Sequence, residues 1–199
     1  LKAVIMSKPF MTLVLIAIGF LVFQLLWPTT INLPKIGAVD EWPLTEVSGN
    51  ETSIRNKPKI IAFFYTNCPD ICPTTMMDLK DVQQLLKDKG ISENQYVIAA
   101  VTLDPLHDTK EKINQYKDAF GISSTNFLFL RGTEKETKQF TQDFNFTYKQ
   151  NQNGFFTHST SMYVVDSKNQ IRALHDMAIG EKRVNFEEVV NHLIQLIEE

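Results

Sequence analysis

The residues best suited to chemistry are two cysteines, Cys68 and Cys72, inside YTNCPDICPTTM (65–76), and the 199-residue chain has no others. Two cysteines cannot make the multi-bridge framework of a small secreted scaffold, and a disulfide between them would close too short a loop to stabilise the fold much. If they matter, they matter chemically. The buried-type run KIIAFFYT ends just before Cys68, and Cys72 stands where an amphipathic stretch begins. The N-terminus of a helix carries unpaired N–H groups and the positive end of the helix dipole, both of which favour thiolate over thiol. On a helical turn, residues i and i+4 share a face with Cβ atoms about 5–6 Å apart, so the C-x3-C spacing permits either a disulfide or a shared metal. Two thiolates suit copper(I), and one imidazole would complete a set of two sulfurs and one nitrogen. That third ligand has to come from elsewhere in the chain.

The elements that must position the cysteines follow from hydrophobic periodicity. Lys59 to Thr66 is nearly continuous and β-rich, as a strand buried on both faces reads, and Tyr96 to Leu103 (YVIAAVTL) is a second such run. Asn126 to Leu130 is a third strand. Thr74 to Lys89 places Met76, Leu79, Val82, Leu85 and Leu86 at helical spacing and stops at Gly90. Thr109 to Phe120 is a second helix. Thr133 to Phe144 is a third, with Thr133 and Glu136 in capping-box spacing. His158 to Asp166 and Gln170 to His175 read as a hairpin around DSKN, and Phe186 to Ile197 as the closing helix. The order β-α-β-α-β-α-β-β-α predicts an α/β, thioredoxin-like fold with a central mixed sheet flanked by helices.

Ahead of this domain, Phe10 to Trp27 is 18 residues without a charge, which as a helix would span about 27 Å. Lys2 and Lys8 precede it and Lys35 is the first charge after it, a bias that favours a cytoplasmic N-terminus. The expected organisation is a cytoplasmic segment 1–9, a transmembrane anchor 10–27, a tether 28–40 and an extracytoplasmic domain 41–199. The competing reading is a cleaved signal peptide, against which stand the length of the run and the lack of a small-x-small site after it. Either reading exports the domain to a compartment where a thiol pair can be oxidised. With 20 Lys plus Arg against 23 Asp plus Glu, net charge −3, nothing in the overall field favours nucleic acid as a partner.

The cysteine motif, together with VTLDPLHDT (101–109) and THSTSMYVVD (157–166), resembles the Sco/SenC family of copper-binding cytochrome c oxidase assembly proteins. The three blocks keep the family's order and spacing over nearly all of residues 40–199. The resemblance implies a thioredoxin fold and names Cys68, Cys72 and His158 as the copper ligands, for copper(I), copper(II) or both. Asp70, Asp104 and Asp108 match the rest of the pattern. Thr157 replaces an acidic residue usual before the histidine, and His107 replaces an arginine usual in the second block, so the surroundings of the ligands depart from the family's. His175, beside Asp176 and Met177, is a candidate accessory copper contact. His107 and His192 are read as playing no part in the chemistry, His192 on a polar side of the last helix.

The function this implies is a single-pass cell-membrane protein, with its domain outside the cytoplasm, that takes copper from a donor protein. It would pass copper, or reducing equivalents, to the copper-site subunit of cytochrome c oxidase during assembly. It is a binding and delivery protein rather than an enzyme with turnover. The alternative is a thiol:disulfide oxidoreductase in which Cys68 attacks and Cys72 resolves, with a peroxiredoxin-type thiol peroxidase as a third reading.

Overall fold

The structure is a computed structural model that describes residues 8–26, 32–49, 54–178, 180 and 183–199. The expected segment 1–7, the Trp27 end of the apolar run and residues 28–31 of the expected tether lie outside the described residues. The chain divides into two compact units, residues 1–32 and residues 33–199.

The first unit contains helix α1, Lys8–Leu26, whose side chains are described over residues 9–23 and are apolar and mostly exposed. Among the described residues no helix is long and apolar enough to cross a membrane.

The second unit runs, in chain order, through β1 (Gly37–Ala38), β2 (Thr45–Glu46), β3 (Lys59–Phe64), α2 (Ile71–Asp88), β4 (Val97–Thr102), α3 (Lys110–Ala119), β5 (Phe127–Arg131) and α4 (Glu134–Asp143). It continues with β6 (Tyr148–Gln150), β7 (Phe156–His158), β8 (Ser161–Val165), β9 (Gln170–Asp176) and α5 (Phe186–Glu198). Seven strands form one mixed sheet in the order β1-β9-β8-β3-β4-β5-β2. The strands β3, β4 and β5 are parallel, while β8 runs antiparallel to β3. The strand that leads to the cysteines is therefore central.

Alternation along β3 explains its unbroken apolar sequence. Ile60, Ala62 and Phe64 join a core with Met76, Leu79 and Val82 of α2 and with Val189, Val190 and Leu193 of α5. Ile61 and Phe63 point the other way, into a core with Phe140 of α4 and with Phe144, Phe146 and Tyr163. Successive strand residues face opposite sides, and here both sides are covered. Phe63 alone meets four aromatic rings with centroids 4.2–6.3 Å away. Truncating it to alanine would cost about 3–5 kcal/mol. The capping box on α4 is present in both halves, with Thr133 Oγ1 accepting from the Glu136 amide and the Glu136 carboxylate accepting from the Thr133 amide.

Three sequence expectations change. Helix α2 starts at Ile71 rather than Thr74, which brings Cys72 and Pro73 inside its first turn; proline there gives up an amide that has no helical partner. The compact unit begins at Leu33, within the segment expected as a tether, because β1 pairs with β9 and the Leu33 carbonyl accepts two hydrogen bonds from the Arg172 guanidinium. The third change bears on the site. The strand expected over 158–166 is two strands, with His158 ending β7 in a two-stranded ribbon with β6 and Ser161 starting β8 of the main sheet. The chain breaks between them because the Ser159 amide donates to Thr147 and the Thr160 carbonyl accepts from Met177, each bonding away from a common strand partner.

Candidate metal centre

Two local devices present the cysteines. Strand β3 ends at Phe64, and the Cys68 amide donates to the Tyr65 carbonyl, 3.2 Å, which turns the chain back toward α2. The corner is held from beneath by Asp108. Its carboxylate accepts from the Thr66 amide at 3.2 Å and from the hydroxyls of Thr66 and Thr102. Asp108 is fully buried, and burial raises its pKa against the opposing pull of those hydroxyls and of the Thr66 amide. The second device is the first turn of α2, where Cys72 is almost wholly buried and its amide donates to Cys68 Sγ at 3.4 Å.

His158 arrives from the β6–β7 ribbon. Alternation along β7 turns Phe156 and His158 inward and leaves Thr157 exposed, so the position where the family usually has an acidic residue faces solvent, not the ligands. The imidazole stands between two rings, stacked on Phe146 at 5.9 Å and edge-on to Tyr65 at 6.2 Å. Its Nδ1 lies 2.7 Å from the Ser159 carbonyl oxygen. A carbonyl only accepts, so Nδ1 carries the proton and Nε2 is left to act as donor atom in the neutral ring. The Tyr65 hydroxyl accepts from the Phe156 amide, 3.3 Å, which ties the ribbon back to the end of β3.

The ligand atoms of Cys68, Cys72 and His158 all lie within 4.8 Å of one another. Neither cysteine is in a disulfide. The two sulfurs share a proton unequally. A hydrogen bond from Cys72 holds the Cys68 thiol well below its ordinary range; burial opposes this, and bonds from His158 and from the Asp70 and Cys72 amides add to it. The same bond, with burial, drives the Cys72 thiol well above its ordinary range. For His158 burial disfavours the charged ring, but hydrogen bonds to Cys68 and to the Ser159 carbonyl, with the attraction of the Cys68 sulfur, raise its pKa overall. The metal-free centre is thus a Cys68 thiolate held by a thiol, backbone amides and an imidazole. It can act as a soft donor set or as a nucleophile with a resolving thiol beside it.

The other candidates fall elsewhere. Asp70 is an exposed residue at the N-cap of α2 and makes no side-chain capping bond; its amide is what reaches Cys68. Asp104 accepts from its neighbours in the 104–109 turn and lies 2.7 Å from His107 Nδ1, so the histidine that replaces the usual arginine pairs with this turn rather than with the sulfurs. His175 is not part of the sulfur cluster. It lies against His192, whose ring therefore does not simply face solvent. Sequence reasoning did not assign the Asp108 anchor or the ring sandwich of Tyr65 and Phe146; DPLHDT marked Asp108, and nothing local marked Phe146.

The SCO1/SenC family pattern matches residues 38–195. An SCO2-like protein of Rickettsia prowazekii is 27% identical over 141 residues, covering 68% of this chain and 66% of its own length. The chain thus aligns with just under two thirds of that relative. Among solved structures, yeast Sco1 with copper bound superposes with a TM-score of 0.64 at 25% identity, over 81% of this chain and 90% of its own. BsSco is a Sco-family cytochrome c oxidase assembly protein for which a disulfide switch is described. It superposes at 0.71 with 19% identity, over 84% of this chain and 98% of its own, and shows the shared fold.

Proposed function

The chain belongs to the SCO1/SenC family, and from that premise we propose that it binds copper through Cys68, Cys72 and His158 and serves assembly of the copper site of cytochrome c oxidase. One observation carries the reading: two sulfurs from the turn into α2 and one imidazole from β7, distant in sequence, converge within 4.8 Å, the imidazole with its tautomer already set by Ser159. Copper is cargo here. Its capture replaces the Cys72 proton and any proton on His158 Nε2, leaving two thiolates and a neutral ring. The thiolates favour copper(I), and the nitrogen makes copper(II) acceptable. His158 also lines a cavity of about 830 Å³ with Thr147, Tyr148 and Ser159, so a donor or acceptor protein could approach the ligand from the ribbon side. The apolar run Phe10 to Trp27 supports a single-pass anchor with the domain outside the cytoplasm, where the thiols meet both copper and oxidants.

A second reading shares the site. Cys68, the thiolate, attacks a substrate disulfide; one substrate sulfur leaves as a thiolate, and a mixed disulfide forms. Cys72 then loses its proton, attacks Cys68 Sγ, and releases the second substrate sulfur, so the substrate is reduced as the Cys68–Cys72 disulfide forms. The proton arrangement of the pair favours this step, and it suits reduction of an oxidase copper-site cysteine pair before metal transfer.

The test is titration of the reduced, tag-free chain with copper(I) and copper(II) beside Cys68→Ser, Cys72→Ser and His158→Ala. One equivalent of copper is expected, with thiolate-to-copper(II) absorption lost in either cysteine variant. His158→Ala should retain copper(I) and lose most copper(II). Unchanged absorption in Cys72→Ser would remove the two-sulfur centre and leave thiol exchange.

A further inference from the structure

A second convergence of ligating side chains lies away from the sulfurs. His175 is on β9, while Glu188 and His192 are four residues apart on α5 and so share a face of that helix. Each offers one ligand atom, and the three atoms lie within 4.8 Å of one another. We propose that His175, Glu188 and His192 form a second metal site on this chain, one that takes a divalent transition ion of the zinc or copper(II) type and is independent of the cysteines.

The imidazoles carry most of the argument. His192 Nδ1 and His175 Nε2 are 3.1 Å apart, with ring centroids 5.0 Å apart and planes at 40°. Two imidazole nitrogens face each other so closely either because one donates its N–H to the other or because both lone pairs meet one cation. At a metal–nitrogen distance of about 2.05 Å, a 3.1 Å separation corresponds to an angle of about 98° at the ion, acceptable for a tetrahedral or more open set. The carboxylate is oriented as a third ligand would be. Asn185 Nδ2 donates to Glu188 Oε2 at 3.1 Å, and the Glu188 amide donates back to Asn185 Oδ1 at 3.3 Å, which steadies a carboxylate that has an oxygen within 4.8 Å of both imidazole ligand atoms. Two nitrogens and one oxygen are a borderline-hard set that prefers divalent ions, with copper(II) above zinc in affinity, whereas the two sulfurs of the first centre select copper(I). Burial grades from His175, which is buried, through His192, half-buried, to Glu188, which is exposed. One side of the site is therefore open to water for the remaining coordination position.

The experiment uses the tag-free full chain carrying Cys68→Ser and Cys72→Ser, so that the sulfur centre cannot contribute and its failure or success is irrelevant to the outcome. Zinc is titrated by calorimetry, and cobalt(II) is followed by visible absorption. One equivalent of zinc is expected, together with cobalt bands of a four-coordinate site. His175 is buried and its replacement risks the fold, so the added variants are His192→Gln and Glu188→Gln, each with its far-ultraviolet dichroism and metal-free melting checked against the parent. His192→Gln should weaken zinc at least tenfold and abolish the cobalt bands, and Glu188→Gln should weaken zinc to a lesser degree. No zinc uptake by the cysteine-free chain, or uptake unchanged in either variant, would overturn the proposal and leave the histidine pair as a hydrogen bond.

Discussion

Copper(I) capture at the sulfur centre should release a number of protons that changes with pH, because the three ligands start from different states. Cys68 is a thiolate at neutral pH, its pKa held down chiefly by the bond from Cys72, and contributes no proton. Cys72, raised by the same bond and by burial, contributes one proton from neutrality up past the ordinary thiol range. For His158 burial opposes the charge, but its bonds to Cys68 and Ser159 and the attraction of the Cys68 sulfur raise its pKa, so it contributes a second proton only below that raised value. The affinity should therefore rise tenfold per pH unit above the pKa of His158, about 1.4 kcal/mol per unit, and toward a hundredfold per unit below it. From pH 7 to pH 9 this amounts to at least about 100-fold, near 2.7 kcal/mol. Two unperturbed thiols with pKa about 8.5 would behave differently, with about two protons released at pH 7 and almost none above pH 9.5. The assay is competition of the reduced chain against a copper(I) chelator that does not titrate in this range. Calorimetry in two buffers of different ionisation enthalpy counts the protons. His158→Ala should keep the tenfold slope and lose the steepening. A slope that falls to about 0.2 by pH 9.5, as two unperturbed thiols would give, would refute the unequal sharing of the proton.

Two further outcomes test what holds the site in place. Asp108→Asn presents an amide N–H to a pocket made of donors, the Thr66 amide and hydroxyl and the Thr102 hydroxyl. It should cost about 1–3 kcal/mol in urea unfolding and weaken copper(I) through the Cys68 corner; an unchanged unfolding midpoint would contradict the role given to this carboxylate. Lys59 is fully buried at the start of β3, with Nζ bonded to Asn169 Oδ1 at 2.7 Å and set 5.0 Å from the Trp42 ring. Burial lowers its pKa from 10.5 to about 8, with Asp166 opposing. Between those values the unfolded chain binds more protons than the folded one, so stability relative to Lys59→Met should rise as the pH climbs from about 8 to about 10.5, by about 3 kcal/mol at most. A difference between the two proteins that is flat over that window in pH-dependent urea titrations would show that Lys59 titrates normally.

How much of this was legible in the sequence depended on whether the interaction was local. The runs of β3 and β4 declared buried strands because a strand covered on both faces has apolar residues at nearly every position. The C-x3-C spacing declared that the two sulfurs could meet, although Cys68 lies in the loop before α2 and is brought to Cys72 by that loop's turn, and Thr133 with Glu136 declared a cap by N-cap to N3 spacing. The family's likeness, not any local pattern, marked His158. Its place beside residues 90 positions earlier depends on a break in the chain between β7 and β8, set by bonds from Ser159 and Thr160 to Thr147 and Met177, which no hydrophobic period records. Charges went the same way. Lys59 opens a run read as a buried strand and is itself enclosed although it is charged, and Asp108, marked only by the family's pattern, is the anchor of the cysteine loop. His192 reads as surface until α5 lies against β9 and sets it 3.1 Å from His175. Sequence alone determined which segments are buried and which residues could ligate, since both follow from side-chain chemistry and short-range spacing; which ligands meet, and in which protonation state, was decided only when sheet order and helix packing brought distant groups into one low-dielectric environment.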